Sequence, residues 1–229
     1  VDAPETTPDA IMVRSASMLD MEMPASLLAI ARAGAGVNNI PVDACTEKGI
    51  CVFNTPGANA NAVKELVICA MLIASRNVPQ ALDWCKTLKG EGSNVGKLVE
   101  KGKSAFTGQE VMGKTLGIVG LGAIGILVAN TAVNLGMDVI GYDPYLSIAN
   151  ALSLDPKVKL VSDVEELWPV ADYISLHTPL NDSTRDLVNA ETVAQMKDGV
   201  RILNFARGEL VNSSDILAAL ESGQVLAFA

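Results

Sequence analysis

The chain has 229 residues, of which 49% are hydrophobic, 19% charged and 4% aromatic. That excludes a disordered chain, which needs low hydrophobicity and high charge, and the length suits one large α/β domain or two small ones. Asp and Glu number 26 against 17 Lys and Arg, a formal charge of −9; with no basic block, a nucleic-acid partner is not expected.

The four cysteines, Cys45, Cys51, Cys69 and Cys85, form no C-x-x-C pair, and His177 is the one histidine. No metal site follows from such spacing, and unpaired thiols suit a reducing cytoplasmic location. No apolar run approaches the ~20 residues of a membrane span, and no signal peptide opens the chain. The sequence starts at Val1 and stops in an apolar run, 225–229, that reads as the inside of a strand. The expectation is a fragment cut at both ends.

In chain order, residues 10–13 and 27–31 are apolar runs of strand length, the second closed by Gly34 and Gly36. Pro41 stands where a helix starts and Gly49 where it stops. Residues 50–53 form a third strand and 54–57 a turn. From Ala60 to Ser75, Val63, Leu66, Val67, Ala70, Met71 and Ala74 recur at helical spacing; apolar residues on other faces predict burial on most sides. Residues 86–103, rich in Gly and Lys, read as a solvated connection. A second series has strands at 115–119, 138–142, 158–161, 172–176, 200–204 and 225–228. The helix after Gly122 is expected to bury Ile124, Leu127, Val128, Ala132 and Leu135. Ser162 with Glu165 reads as a capping box, and Ser213 or Ser214 as the cap of a helix ending at Gly223. Strands alternating with helices predict parallel sheets.

Gly120-Leu121-Gly122-Ala123-Ile124-Gly125 is G-x-G-x-x-G between an apolar strand and an amphipathic helix. A further strand ends in Asp143, 18 residues after Gly125, near the ~20 of a dinucleotide fold. Gly120 permits the sharp turn, Gly122 lets a pyrophosphate approach the backbone, and Gly125 lets helix pack on strand. The helix N-terminus offers free N–H groups and partial positive charge to phosphates. Asp143 can accept both adenosine ribose hydroxyls and repels a 2′-phosphate. With no Lys or Arg between Asp143 and Lys157, NAD is favoured over NADP.

Four other strand-end segments invite roles. Arg207 follows strand 200–204, where open α/β sheets bind ligands; a guanidinium there can clasp a carboxylate through two parallel bonds, or simply face solvent in a helix-entry loop. His177 ends strand 172–176 and is a general base or the edge of a pocket. Arg14-Ser15 and the segment from Arg32 to Asn38, with Gly34 and Gly36, are either an anionic substrate's lining or ordinary turns.

These motifs carry a family resemblance. Val13–Ala16, Arg32–Ile40, Asn54–Gly57, Gly113–Gly125, Tyr142–Pro144, His177–Leu180 and Asn204–Leu210 together resemble the D-isomer-specific 2-hydroxyacid dehydrogenases. The likeness is greatest to the bacterial-type branch that oxidises D-3-phosphoglycerate. It implies a Rossmann-type doubly wound parallel sheet, residues 56–229, with part of a second, flavodoxin-like α/β substrate domain, residues 1–55. The implied cofactor is NAD, contacted at Ala35, Gly120, Gly122, Ala123, Ile124, Gly125, Asp143, His177, Thr178, Pro179, Phe205 and Ala206. Arg207 is implied as the carboxylate-binding catalytic arginine. Arg14, Ser15, Arg32, Gly34, Gly36 and Asn38 are implied on the substrate side, Arg14 or Arg32 neutralising a phosphate. The family's catalytic Glu and His have no counterpart in this chain, since His177 matches a cofactor-loop position. Helix 60–75 corresponds to a dimer-forming region, so a homodimer or tetramer is implied.

The implied reaction converts D-3-phosphoglycerate to 3-phosphohydroxypyruvate, the entry to serine synthesis. The alternatives are a glyoxylate/hydroxypyruvate reductase or D-lactate dehydrogenase, or a non-catalytic NAD(H)-sensing binding protein of the corepressor kind.

Overall fold

The computed structural model describes residues 7–229, and the chain divides into two compact units, Val1–Asn61 and Ala62–Ala229. In the first, β1 (Ala10–Val13), β2 (Ala29–Arg32) and β3 (Cys51–Asn54) form a parallel sheet in that order. Helix α1 (Val42–Glu47) lies between β2 and β3 in sequence. The second strand starts two residues later than its apolar run suggests, because Leu28 uses its N–H on Asp9 outside the ladder and is exposed.

Side chains alternate across a strand, and here one face takes the whole core. Ile11, Val13 and Ile30 pack with Met18, Met23, Leu27, Ile40, Cys45 and Ile50. On the opposite face, Met12, Ala31 and Phe53 are in register, and Met12 is 81% and Phe53 59% exposed.

Helix α2 (Ala60–Arg76) leads into the second unit. Its buried positions past the first turn are Val67, Met71 and Ser75, one stripe at i, i+4, i+8. Burial on most sides is therefore not what the helix has: Leu66 is 57% exposed and Ile73 41%. Residues 86–103 also differ from expectation. Helix α3 (Val78–Thr87), with Pro79 in its first turn, and helix α4 (Val95–Gly102) occupy most of that stretch. Trp84 packs on Phe106 with ring centroids 5.1 Å apart, and Gly102 fits against Trp84, where a Cβ would come within 2.4 Å. Val95, Leu98, Val99 and Gly102 have helical spacing that the lysines among them obscure.

The second series is β4 (Thr115–Val119), α5 (Ala123–Asn134), β5 (Asp138–Tyr142), α6 (Ile148–Leu152), β6 (Lys159–Leu160), β7 (Tyr173–Leu176), α7 (Ala190–Val193), β8 (Val200–Asn204), α8 (Ser213–Ser222) and β9 (Val225–Phe228). All six strands are parallel, in the order β6-β5-β4-β7-β8-β9. Strand order thus reverses between β4 and β7, the topological switch point at which such sheets bind ligands. Each face has its own core, as a doubly covered parallel sheet requires. Leu116, Ile118, Tyr173 and Leu203 pack with Val67, Met71 and α5 on one side; Ile174, Leu176 and Ile202 pack with Trp168 and Ile216 on the other. Each fully buried Leu or Ile contributes about 1.5–3 kcal/mol.

Several local expectations move by a residue or two. Helix α5 buries Gly125, Ile126, Val128, Ala129, Ala132 and Val133. Leu127 is exposed instead, because the stripe facing the sheet begins at Gly125. The capping box is Asp163 with Glu166, whose carboxylate accepts the Asp163 N–H at 3.2 Å. Asn212 caps α8, accepting the N–H groups of Ser214 and Asp215.

One buried cation ties α2 to the sheet. Arg201, 8% exposed, lies over the Tyr173 ring, 5.3 Å from its centroid, and its Nε donates to the Ala74 carbonyl at 3.1 Å. That carbonyl is in the last turn of a helix, where carbonyls lack intrahelical partners. Ser75 Oγ and Tyr173 Oη, 2.7 Å apart, complete the tie.

Candidate cofactor and active site

The carboxyl ends of β5, β4, β7 and β8 are neighbours, so the residues that follow them share one edge of the sheet. Gly120 follows β4, Asp143 follows β5, His177 follows β7 and Phe205 follows β8. Register pairs Val119 with Tyr142 and with Leu176, and Leu176 with Asn204.

The three motif glycines do three different things. Gly120 has φ +97° and passes the β7 exit so closely that a Cβ would lie 2.7 Å from the His177 carbonyl and 2.8 Å from the Thr178 nitrogen. Gly125 packs against the Gly120 carbonyl, 2.0 Å from where a Cβ would stand. A Cβ on Gly122 would meet nothing within 4 Å. Gly122 also begins α5, whose first N–H groups have no intrahelical partner. An open backbone in front of a twelve-residue helix N-terminus fits a pyrophosphate.

Asp143 is fastened to this loop. Its Oδ2 accepts the Leu121 N–H and its Oδ1 the Tyr145 N–H, each at 2.8 Å. Asn150 Nδ2 reaches the Leu121 carbonyl at 3.2 Å. The carboxylate is thus oriented, each oxygen keeping a lone pair for a ribose hydroxyl.

His177 is largely buried. Its Nε2 lies 2.9 Å from Ser175 Oγ, and its Nδ1 is buried with no partner. Burial alone lowers its pKa to about 4, so it is a neutral, weakly basic ring at neutral pH. Thr178 is half-buried and Pro179 exposed; the Pro179 carbonyl accepts Thr184 Oγ1 at 2.7 Å, which shapes the loop.

After β8, Asn204 organises the turn: its Oδ1 accepts the Ala206 N–H at 3.1 Å and its Nδ2 donates to the Arg207 carbonyl at 2.8 Å. Phe205 and Ala206 are half-buried and Arg207 is exposed. Arg207 Nη1 donates to the Ala206 carbonyl at 2.9 Å, leaving other guanidinium donors for a ligand. Ala123 is exposed and Ile124 half-buried in the first turn of α5.

Ala35 and all the substrate-side candidates belong to the first unit, at the carboxyl ends of its own strands. Val13 and Arg32 are in register, so Arg14-Ser15 and Arg32 leave adjacent strands. Arg32 Nε donates to the Arg14 carbonyl at 3.1 Å, and its guanidinium lies where a Cβ on Gly34 would be, 1.9 Å from Nη1. The Gly34 N–H goes to Thr55 Oγ1 at 2.8 Å, and Asn54 Nδ2 holds the Ala35 carbonyl at 2.8 Å. Gly36 is half-buried and Asn38 exposed. The asparagine that does structural work is the next one: Asn39 Nδ2 holds the Ala16 carbonyl at 2.8 Å. Asn39, Thr55, Ser175 and Asn204 were not among the sequence candidates. Asn39, Asn54-Thr55 and Asn204 do fall inside the family motifs, while Ser175 gives no sequence signal.

Among the described residues no cluster of His, Cys, Asp and Glu could hold a metal, and no helix is long and apolar enough to cross a membrane.

The comparisons with known proteins agree with this geometry. Residues 68–229 match the family described as D-isomer specific 2-hydroxyacid dehydrogenase, NAD binding domain. D-3-phosphoglycerate dehydrogenase of Methanocaldococcus jannaschii is 42% identical over 224 residues, covering 96% of this chain and 40% of that protein. Hydroxypyruvate reductase of Thermotoga maritima is 41% identical over 222 residues, covering 96% of this chain and 67% of that protein. Among solved structures, apo D-mandelate dehydrogenase of Rhodotorula graminis superposes with a TM-score of 0.79 at 30% identity, covering 97% of this chain and 66% of that one. The chain thus spans about 40% of the length of the first of these relatives. With the glycine loop, the anchored acid and the strand order all in agreement, this chain belongs to the D-isomer-specific 2-hydroxyacid dehydrogenases, and residues 68–229 are their NAD-binding domain.

Proposed function

We propose that the protein oxidises a small 2-hydroxy acid with NAD, and that its substrate is D-3-phosphoglycerate, giving 3-phosphohydroxypyruvate. The observation that carries the cofactor half is the pairing of the open Gly122 backbone with the Asp143 carboxylate, fixed at 2.8 Å to the Leu121 N–H of the same loop. Gly120, Gly122, Gly125 and the α5 N-terminus hold the pyrophosphate, with Ala123 and Ile124 beside it. Asp143 takes the ribose hydroxyls, and His177, Thr178, Pro179, Phe205 and Ala206 line the rest. Bound NAD supplies a hydride acceptor.

Residues 1–55 serve as part of the substrate domain and 56–229 as the nucleotide domain. Arg207 orients the substrate carboxylate by a bidentate contact. Arg14 and Arg32, leaving adjacent strands, offset the charge of a substrate phosphate, with Ser15, Gly34, Gly36 and Asn38 lining the anion. Proton removal from the hydroxyl has no evident agent among the described residues: His177 is buried, and its pKa is near 4. The described residues 7–229 are therefore expected to bind cofactor without turning over substrate.

The similarity to a hydroxypyruvate reductase over two thirds of that protein's length supports a second reading, with the same chemistry on an unphosphorylated acid. We further assign a homodimer or tetramer through the exposed apolar face of α2, and a cytoplasmic location, in keeping with four unpaired cysteines. NADH and NADPH titrations followed by cofactor fluorescence test the cofactor half. Oxidation of D-3-phosphoglycerate by the natural protein, compared with D-glycerate, tests the substrate. Equal affinity for the two cofactors overturns the first assignment, and indifference to the phosphate overturns the second in favour of the reductase.

A further inference from the structure

Position 175 lies on β7, a strand buried along its whole length. Ser175 is 0% exposed, and a serine among Tyr173, Ile174 and Leu176 gives up the packing that an aliphatic side chain would contribute. Residues i and i+2 of a strand share a face, which puts Ser175 and His177 together at 2.9 Å.

A hydroxyl carries one O–H donor, and a neutral imidazole has one donor nitrogen and one acceptor nitrogen. If Nε2 carried the proton, both the Ser175 O–H and the Nδ1 lone pair would be left without partners among the described residues. With the hydroxyl donating to Nε2, only one group is unpaired, the Nδ1–H. The second arrangement wastes less hydrogen bonding in a buried place. It also fixes the ring, because a ring that left this position would strand the Ser175 hydroxyl. The backbone of the same histidine lies against the cradle: the His177 N–H donates to the Val119 carbonyl at 2.7 Å, and the 177–178 peptide bounds the space beside Gly120.

We propose that Ser175 is a positioning residue for the dinucleotide site, donating to His177 Nε2 and so holding the 177–178 peptide against Gly120 in the shape that receives the cofactor. This deepens the NAD reading above and rests on it. Burial alone, with no charged partner, keeps the ring neutral.

His177 is the one histidine in the chain, so its ring resonances are assigned without ambiguity. In the wild-type chain the ring remains unprotonated down to about pH 5, with its proton on Nδ1. In Ser175→Ala the buried Nε2 loses its partner, and neither ring nitrogen is then paired. The ring then turns out to solvent and titrates near its ordinary value of about 6.5, and NADH affinity falls about tenfold, the usual scale of one lost buried hydrogen bond. Ser175→Thr, which keeps the hydroxyl, restores both. A wild-type ring that titrates near pH 6.5 overturns the clamp without any variant. A Ser175→Ala chain that binds NADH within twofold of wild type overturns the link to the cradle, whether or not the ring moves. Failure of the wild-type chain to bind NADH overturns the NAD reading itself, and the ring titration still judges the clamp.

Discussion

The Asp143 carboxylate accepts the Leu121 N–H at 2.8 Å, so the acid that would select the cofactor's ribose also braces the glycine loop that would hold its phosphates. Replacing Asp143 therefore has two separable effects. Asp143→Ala is expected to narrow the preference for NADH over NADPH and to cost about 1.5–3 kcal/mol of stability, the range for hydrogen bonds to a charged group. Asp143→Asn keeps an acceptor oxygen and should lose less stability. Cofactor titration and urea unfolding of both variants check this; a full loss of selectivity with no change in stability would contradict the bracing role.

The two later glycines of the motif should fail differently. Gly122 has open space before it and a φ of −80° that alanine adopts readily. Gly122→Ala is expected to leave stability within about 0.5 kcal/mol, as for a substitution away from packed groups, while weakening NADH binding tenfold or more. Gly125→Ala drives a methyl into the Gly120 carbonyl and should cost about 1–3 kcal/mol or more. Thermal unfolding with NADH titration distinguishes the two.

Arg207 is exposed, and among the described residues its guanidinium bonds to the Ala206 carbonyl alone. Arg207→Lys keeps the charge and loses the planar fork. In the natural protein it should lower kcat/KM for the hydroxy acid while NADH affinity stays within twofold, and Arg207→Ala should be worse. Steady-state kinetics beside NADH titration check this; a parallel loss of NADH binding would move Arg207 into the cofactor site.

His177 also predicts a pH dependence. Its pKa is lowered by burial to about 4 in the folded chain, against about 6.5 in the unfolded chain. Between these values the unfolded state binds more protons, so stability is intact above pH 6.5 and is lost as pH falls toward 4. The loss between pH 7 and pH 5 is roughly 2 kcal/mol. Below pH 4 Asp172 adds to it: burial pushes its carboxyl up, but the Thr115 N–H and the Lys197 ammonium outweigh burial and hold it below its ordinary value. Urea unfolding at pH 7 and pH 5 should give the difference for wild type and little of it for His177→Gln.

Much of this was legible in the residues. Strands 115–119, 138–142, 200–204 and 225–228 and the glycine loop follow from apolar runs punctuated by Gly, because their signals are local. What was hidden depends on three-dimensional partners. Trp84 needs Phe106, and Gly102 needs Trp84, before 86–103 can be seen as helices. Which of the many apolar residues on α2 turn inward is set by the sheet beneath Val67 and Met71. Ser175 is an unremarkable strand residue until the pleat brings it to His177, and Asn39 differs from Asn38 only in which carbonyls lie within its reach.

The sheet of the first unit has further consequences for how the chain behaves in a test tube. Ala10, Met12, Cys51 and Phe53 lie exposed on one face, and apolar area of that kind drives self-association and dye uptake. A hydrophobic probe such as ANS should brighten on the folded chain, and light scattering should rise with concentration. Met12→Lys together with Phe53→Lys should suppress both at little cost in stability, since neither side chain has much burial to lose.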